Sequence, residues 1–177
     1  MLRLISVFAF FTAVLTTPVY GAAFTTGPVF EKFGKKADIA HTPLDEATSF
    51  KVAFDVASGA KPGTINRKFD SAARFINMHV ANGVKQENIE LAIVVHGSAT
   101  LDLLNKDAYQ QKKSASNANL PLLNALLNEN VRIIVCGQSM AGHGLSAEQF
   151  IEGVSVSLSA MTAHALLQQQ GYTLNPF

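Results

Sequence analysis

Two hydrophobic periods alternate along this chain, and that alternation limits its fold more than any other feature. In "FKVAFDVA", Phe50, Val52, Phe54 and Val56 recur at every second residue, which predicts a strand with one better-buried face. From Thr64 the apolar positions become Ile65, Phe69, Ala72, Ala73, Ile76 and Val80, spaced by three and four, so a helix is expected until Asn82-Gly83 ends it. "IELAIVVHG" is more continuously apolar, as strands buried on both faces of a parallel sheet are. "SATLDLLNKDAY" predicts a short helix and "QQKKSASNAN" a polar loop. The next helix has Pro121 in its first turn and Leu120, Leu123, Leu126 and Leu127 as its stripe. It leads into a third apolar strand, "VRIIVCG".

"GLSAEQFIEG" suggests a further short helix, with Ser146 as N-cap and Glu148 in its first turn. "VSVSLS" alternates like a strand but runs straight into a helical "AMTAHALLQQQG", which Gly171 can terminate. "YTLNPF" reads as a terminal edge strand, since Pro176 has no N–H to give a ladder. Strands alternating with helices give a βαβαβ plan: an α/β domain with a mostly parallel sheet and helices on both faces.

Upstream lies "MLRLISVFAFFTAVLTTPVYGAA", with Arg3, an apolar run from Leu4 to Leu15, and small residues at Gly21 to Ala23, the layout of a secretory signal peptide. The apolar run is about a dozen residues, against roughly 20 needed to span a bilayer, so stable membrane insertion is not expected. No cysteine near the cleavage region offers a lipid anchor. The expected organisation is residues 1–22 as a removed signal peptide, 23–48 as an extended arm with one short strand at "PVFEKF", and 49–177 as a single domain. The expected location is the periplasm or the exterior. Without Arg3 the basic residues fall from 14 to 13, against 13 acidic ones, and this balance excludes a basic nucleic-acid-binding face.

In open parallel sheets, chemistry gathers beyond the carboxyl ends of the strands. Two reactive side chains fall there: His96, closing "IELAIVVHG", and Cys136, the single cysteine, closing "RIIVCG". Gly97 and Gly137 follow them and permit close approach of backbone, while Ser98, Gln138 and Ser139 bring polar groups to the same rim. Two readings of Cys136 stand: a small buried hydrophobe, or a thiol activated by N–H groups of a Gly-rich loop, with Gly137 and Gln138 as donors and His96 as partner. His96 itself reads either as catalytic or as hydrogen-bonded to a loop. His143, between two glycines, either swings over the thiol or faces water, and water is favoured; His79 and His164 read as structural, and His41 carries no signal. The histidines lack metal-ligand spacing with acidic residues, so neither metal nor cofactor is expected.

"GQSMAG" imitates the G-x-S-x-G elbow of serine hydrolases, with Glu148 or Glu152 and His164 in a suitable order, but the second glycine is displaced by one residue to Gly142. A small hydrolase using Ser139 is therefore a remote alternative.

The stretch "VRIIVCGQSMAGHGLSAEQFIEGVSVSLSAMTAHALLQQQGYTLNPF", together with "ARFINMH" and "IELAIVVHG", resembles the DsrE/DsrF-like family in its YchN-type, exported form, over about Phe50 to Phe177. The resemblance implies a flavodoxin-like parallel sheet and homo-oligomers (dimers, trimers or hexamers). It also implies, from the sulfur-relay members, a cysteine that carries sulfur as a persulfide. Cys136 matches the first cysteine of the C-x-x-C pair of YchN-type members, and Ser139 occupies the second position. The partners implied are a thiol-bearing protein or a small sulfur compound. From a different class, a non-catalytic periplasmic binding or assembly module with a structural cysteine is the alternative.

Overall fold

The period-two segments form the strands and the period-3.6 segments form the helices of a three-layer α/β/α domain. A computed structural model describes residues 23–39 and 43–175; the leader expected over 1–22, His41, and Pro176 and Phe177 lie outside the described residues. A small antiparallel ribbon of β1 (Phe24–Thr25) and β2 (Lys36–Ala37) comes first. Then follow β3 (Phe50–Val56), α1 (Arg67–Ala81), β4 (Ile89–Val95), α2 (Lys106–Lys113) and α3 (Leu120–Asn128). The chain continues through β5 (Arg132–Cys136), α4 (Gly137–Gly142), β6 (Val154–Ser157), α5 (Ala160–Gln169) and β7 (Thr173–Asn175). The main sheet runs β6-β5-β4-β3-β7, and every neighbouring pair in it is parallel.

Register sets the two faces. Phe54 lies beside Ile93, and Ile93 beside Ile133, so these residues share one side, while Ala53 and Ala92 share the other. The first side holds the larger core: Val52, Phe54, Val56, Leu91, Ile93 and Val95 pack under Phe69 and Ile76 of α1, Tyr109 of α2 and Leu122, Leu123 and Leu126 of α3. Each such side chain contributes about 1.5–3 kcal/mol when fully buried. The second side is thin, with Ala53, Ala92, Val94 and Ile134 under Ala163, Leu167 and Tyr172. Handedness explains the asymmetry. The crossovers from β3 to β6 step along the sheet in one direction, and right-handed connections put their helices on one face. The return from β6 to β7 runs the opposite way, so α5 alone covers the second face.

Several local expectations are corrected. The arm's strands are β1 and β2, not "PVFEKF", whose residues take irregular backbone. Helix α1 starts at Arg67 rather than Thr64, because the Asn66 side chain accepts the Lys68 N–H at 3.0 Å and caps it, leaving Ile65 exposed. "SATLDLLNKDAY" divides into a 3₁₀ segment, Gly97–Leu103, and α2, because Asn105 caps the second helix by accepting the Ala108 N–H. That helix runs on to Lys113 through the start of the expected polar loop. In α3 the buried stripe is Leu122, Leu123 and Leu126; Leu120 and Leu127 are only half-buried. "GLSAEQF" supplies a 3₁₀ turn whose Ser146 and Gln149 form a capping box.

The arm is fastened by one buried amide. Asn77 of α1 is fully buried, its Oδ1 accepts the N–H groups of Val29 and Phe30, and its Nδ2 donates to the carbonyls of Phe30, Phe33 and Gly34. Phe30 thereby enters the larger core. Among the described residues, no helix is long and apolar enough to cross a membrane.

Candidate functional site

Cys136 ends β5, and Gly137 begins α4 without an intervening loop. This corrects the expectation of a Gly-rich loop: "GQSMAG" is helical, so the sulfur sits where the first N–H groups of a helix have no partner inside it. A second helix start meets it there. β6 pairs with β5 so that Ser157 lies beside Cys136, and two residues later Ser159 caps α5 by accepting the Thr162 N–H at 3.0 Å. The N–H of Ala160, first residue of α5, is thus placed to favour the thiolate.

These placements act against burial on the thiol. Cys136 is 5% exposed. That burial pushes its pKa up, yet the layer over it is thin, and donors outweigh the effect: the Ser139 N–H, the Ser139 hydroxyl, and the N–H groups of Ala160 and Gln138. The net result holds the thiol below its ordinary value. Of the two expected backbone donors, Gln138 fills the role while Ser139 and Ala160 take the place of Gly137. Gly137 serves by being small: a Cβ there would come within 2.8 Å of the Ser157 carbonyl oxygen.

Ser139 does more than face the thiol. Its hydroxyl accepts the Gly97 N–H at 2.9 Å, tying α4 to the turn after β4. Gly97 has φ +53°, and a Cβ on it would lie 2.8 Å from the Ala57 oxygen, so the residue type is required. His143 does not face water: its Nε2 donates to the Gly97 carbonyl at 2.9 Å, closing the same tie. Ser98 turns away from the thiol, accepting the Gly59 N–H at 2.9 Å.

His96 is not the thiol's hydrogen-bond partner. Its Nε2 donates to the carboxylate of Asp55, at 3.2 and 3.3 Å from the two oxygens. His164 of α5 donates its Nε2–H to the same Oδ1 at 2.8 Å. Partial burial tends to raise the Asp55 pKa, but the hydrogen bonds from His164 and His96 prevail and hold the carboxyl below its usual range. This His–Asp–His cluster shares the α5 face and the carboxyl edge with Cys136, because Asp55 pairs with Val94, Val94 with Ile134, and His96 and Cys136 stand two residues beyond those.

Asp55 is not singled out by the sequence, and His164 is expected there as a structural histidine or, remotely, a hydrolase base rather than as the partner of Asp55. The rim logic that selected His96 applies equally to Asp55, a charged residue near the end of "FKVAFDVA". His164 shares the three-four spacing of Ala160, Ala163 and Leu167, which marks the sheet-facing side of α5. The elbow-type hydrolase is not assembled: Ser139 lies inside α4, and His164, its intended base, is committed to Asp55. Among the described residues, no group of three His, Cys, Asp or Glu side chains is placed to hold a metal ion.

A groove of about 190 Å³ runs between α5 and the β5–β6 edge, lined by Ile134, Ser155, Ser157, Ala163 and Leu166, and Ser157 brings it to the thiol's strand position. A larger cleft, about 560 Å³, lies at the amino ends of the strands between Glu90, Arg132 and Tyr172, away from the sulfur.

Compared with known proteins, residues 51–176 match the sequence model of the DsrE/DsrF-like family. No curated protein matches the chain. Among solved structures it is similar to the ychN protein from E. coli, at 19% identity and a TM-score of 0.53, over 72% of this chain and 99% of that one. It is also similar to a protein of unknown function, MTH1491 from Methanobacterium thermoautotrophicum, at 17% identity and a TM-score of 0.49, over 73% of this chain and 100% of the other. At 19% identity the likeness to the ychN protein speaks of fold alone.

Proposed function

Because the chain belongs to the DsrE/DsrF-like family, we propose that it carries sulfane sulfur as a persulfide on Cys136, in the periplasm or outside the cell. The observation that carries this reading is the convergence of two helix starts and the Ser139 hydroxyl on one sulfur. Such donors favour the thiolate, which is the nucleophile. The thiolate attacks the outer sulfur of a donor persulfide, R–S–SH. The donor's S–S bond breaks, R–S⁻ leaves, and Cys136 holds the sulfur as Cys–S–SH. An acceptor thiolate, on a protein or a small sulfur compound, then attacks that outer sulfur and releases Cys136, with no net oxidation in either step.

Ser139 suits a carrier. A cysteine there would attack the inner sulfur, close a disulfide and expel H₂S, whereas a hydroxyl leaves the cargo in place. The test is incubation of the native protein with a low-molecular-weight persulfide, read by intact mass. The wild type gains one sulfur and Cys136→Ser gains none; no adduct on a native thiol that still alkylates would overturn the reading.

One observation favours assembly as a second role. No Asp, Glu, Lys or Arg follows Glu152 in the sequence, and in that stretch Leu158 is 73% exposed and Met161 81%. Val156 on the edge strand β6 and Leu166 on α5 are about half-exposed. Edges that stay solitary are usually blunted by charge. An uncharged apolar surface is complementary to a second copy of itself, so a homo-oligomer built on α5 and β6 is the form this role takes.

A further inference from the structure

The first turn of α5 is the cover over Cys136, and little apolar burial holds it there. The Ala160 N–H is placed where it favours the Cys136 thiolate, and Gln138 Nε2 donates to the Leu158 carbonyl at 3.3 Å. A Cβ on Gly137 would meet the Ser157 and Leu158 oxygens at 2.8 and 3.3 Å, so residues 157–160 press directly on the peptide that follows the thiol. The large side chains of this segment, Leu158 and Met161, point to solvent. Apolar anchoring of α5 comes from two alanines, Ala160 and Ala163, and from Leu167 with Tyr172 at the far end. The helix is thus packed at its C-terminal end and held by polar ties at its N-terminal end. The strongest of those ties by chemistry is the one between an imidazole N–H and an ionised carboxylate, His164 to Asp55, 2.8 Å long and joining residues 109 apart in the chain. It falls one turn beyond Ala160.

We propose that Asp55 and His164 form a latch that holds the first turn of α5 over Cys136, positioning the Ala160 N–H on the sulfur while limiting access to it. His96, on the same carboxylate, keeps Asp55 oriented towards the helix. Both act as positioning residues, since neither donates to the thiol. The inference rests on Cys136 being the reactive group of the proposed carrier and adds how it is covered. Opening the latch has two opposite effects: the sulfur becomes easier to reach, and its thiolate loses one donor.

Alkylation by iodoacetamide across a pH series separates these effects and needs no sulfur donor, so its outcome is independent of whether a persulfide forms. In His164→Phe the plateau rate, at about pH 10 or above where the thiolate is fully formed, rises on the order of threefold to tenfold, and the titration midpoint moves up. His164→Gln, which keeps an N–H for Asp55, stays near wild type in both readings. Asp55→Leu, which removes the acceptor, follows His164→Phe, and amide exchange across residues 160–164 quickens in both open variants. Far-UV circular dichroism confirms that each variant is folded. If His164→Phe is folded and alkylates with the wild-type plateau and midpoint, the latch is overturned. If it unfolds, exchange at residues 160–164 in folded Asp55→Leu decides, and wild-type protection there overturns the proposal equally.

Discussion

The Ser139 hydroxyl accepts the Gly97 N–H at 2.9 Å and is among the groups that hold the Cys136 thiol below its ordinary pKa, so one side chain joins the ends of two neighbouring strands beside the reactive atom. It stands where a C-x-x-C protein has its second thiol, and here it supplies a donor in place of a competitor.

Removing that hydroxyl has a signed effect. Ser139→Ala takes one donor from the thiolate and leaves the Gly97 N–H without its acceptor. The thiol midpoint rises by up to about one unit, since one hydrogen bond contributes ~1 kcal/mol and a unit corresponds to 1.36 kcal/mol. Stability falls by about 1–3 kcal/mol from the orphaned N–H. pH-dependent alkylation and urea unfolding measure the two. Ser139→Cys, loaded with a persulfide, releases sulfide and becomes disulfide-bonded, which a sulfide electrode and intact mass detect; retention of the persulfide in this variant would count against the proposed role of the hydroxyl.

A second prediction concerns Asp102, 1% exposed, whose carboxylate accepts the Ala60 N–H and the Asn66 side-chain N–H, both at 2.8 Å, and so ties the loop after β3 to the cap of α1. Burial raises its pKa more than those donors lower it. The folded state therefore binds this proton more tightly than the unfolded state, and stability declines as pH rises from the unfolded value, about 3.9, through the raised folded value. Above that window the loss is complete. In Asp102→Asn this segment of the stability–pH curve flattens, read by urea unfolding at intervals from acid to neutral pH; a curve parallel to the wild type throughout contradicts the assignment.

The third prediction tests the uncharged surface. Sedimentation of the wild type at tens of micromolar yields an oligomer, and the double variant Leu158→Glu, Met161→Glu yields a monomer that far-UV circular dichroism shows to be folded, since both side chains are exposed within one subunit. A wild-type monomer, or an oligomer indifferent to the two charges, removes this surface from the account of assembly.

Much of the scaffold was legible because its signals are local. Alternation in "FKVAFDVA", the continuous apolar run of "IELAIVV" and the three-four spacing before Asn82 each depend on residues within a turn or a strand of one another. Even the rim positions of His96 and Cys136 followed from being the last residues of apolar runs. What misled were helix starts, where capping by Asn66 and Asn105 overrode hydrophobic spacing, and the helical start directly after Cys136.

The sequence by itself determined the strands β3, β4 and β5, the helices α1 and α3, and that the thiol ends a strand. Only the tertiary structure decided what meets there. The donors on Cys136 come from α4 and from α5, and Asp55 is joined to a histidine 109 residues away. Those meetings depend on strand register and on the reversed crossover that lays α5 alone across the second face. Neither is encoded by neighbours at i±2 or i±4; both arise when separate periodic segments bury their apolar sides against one another.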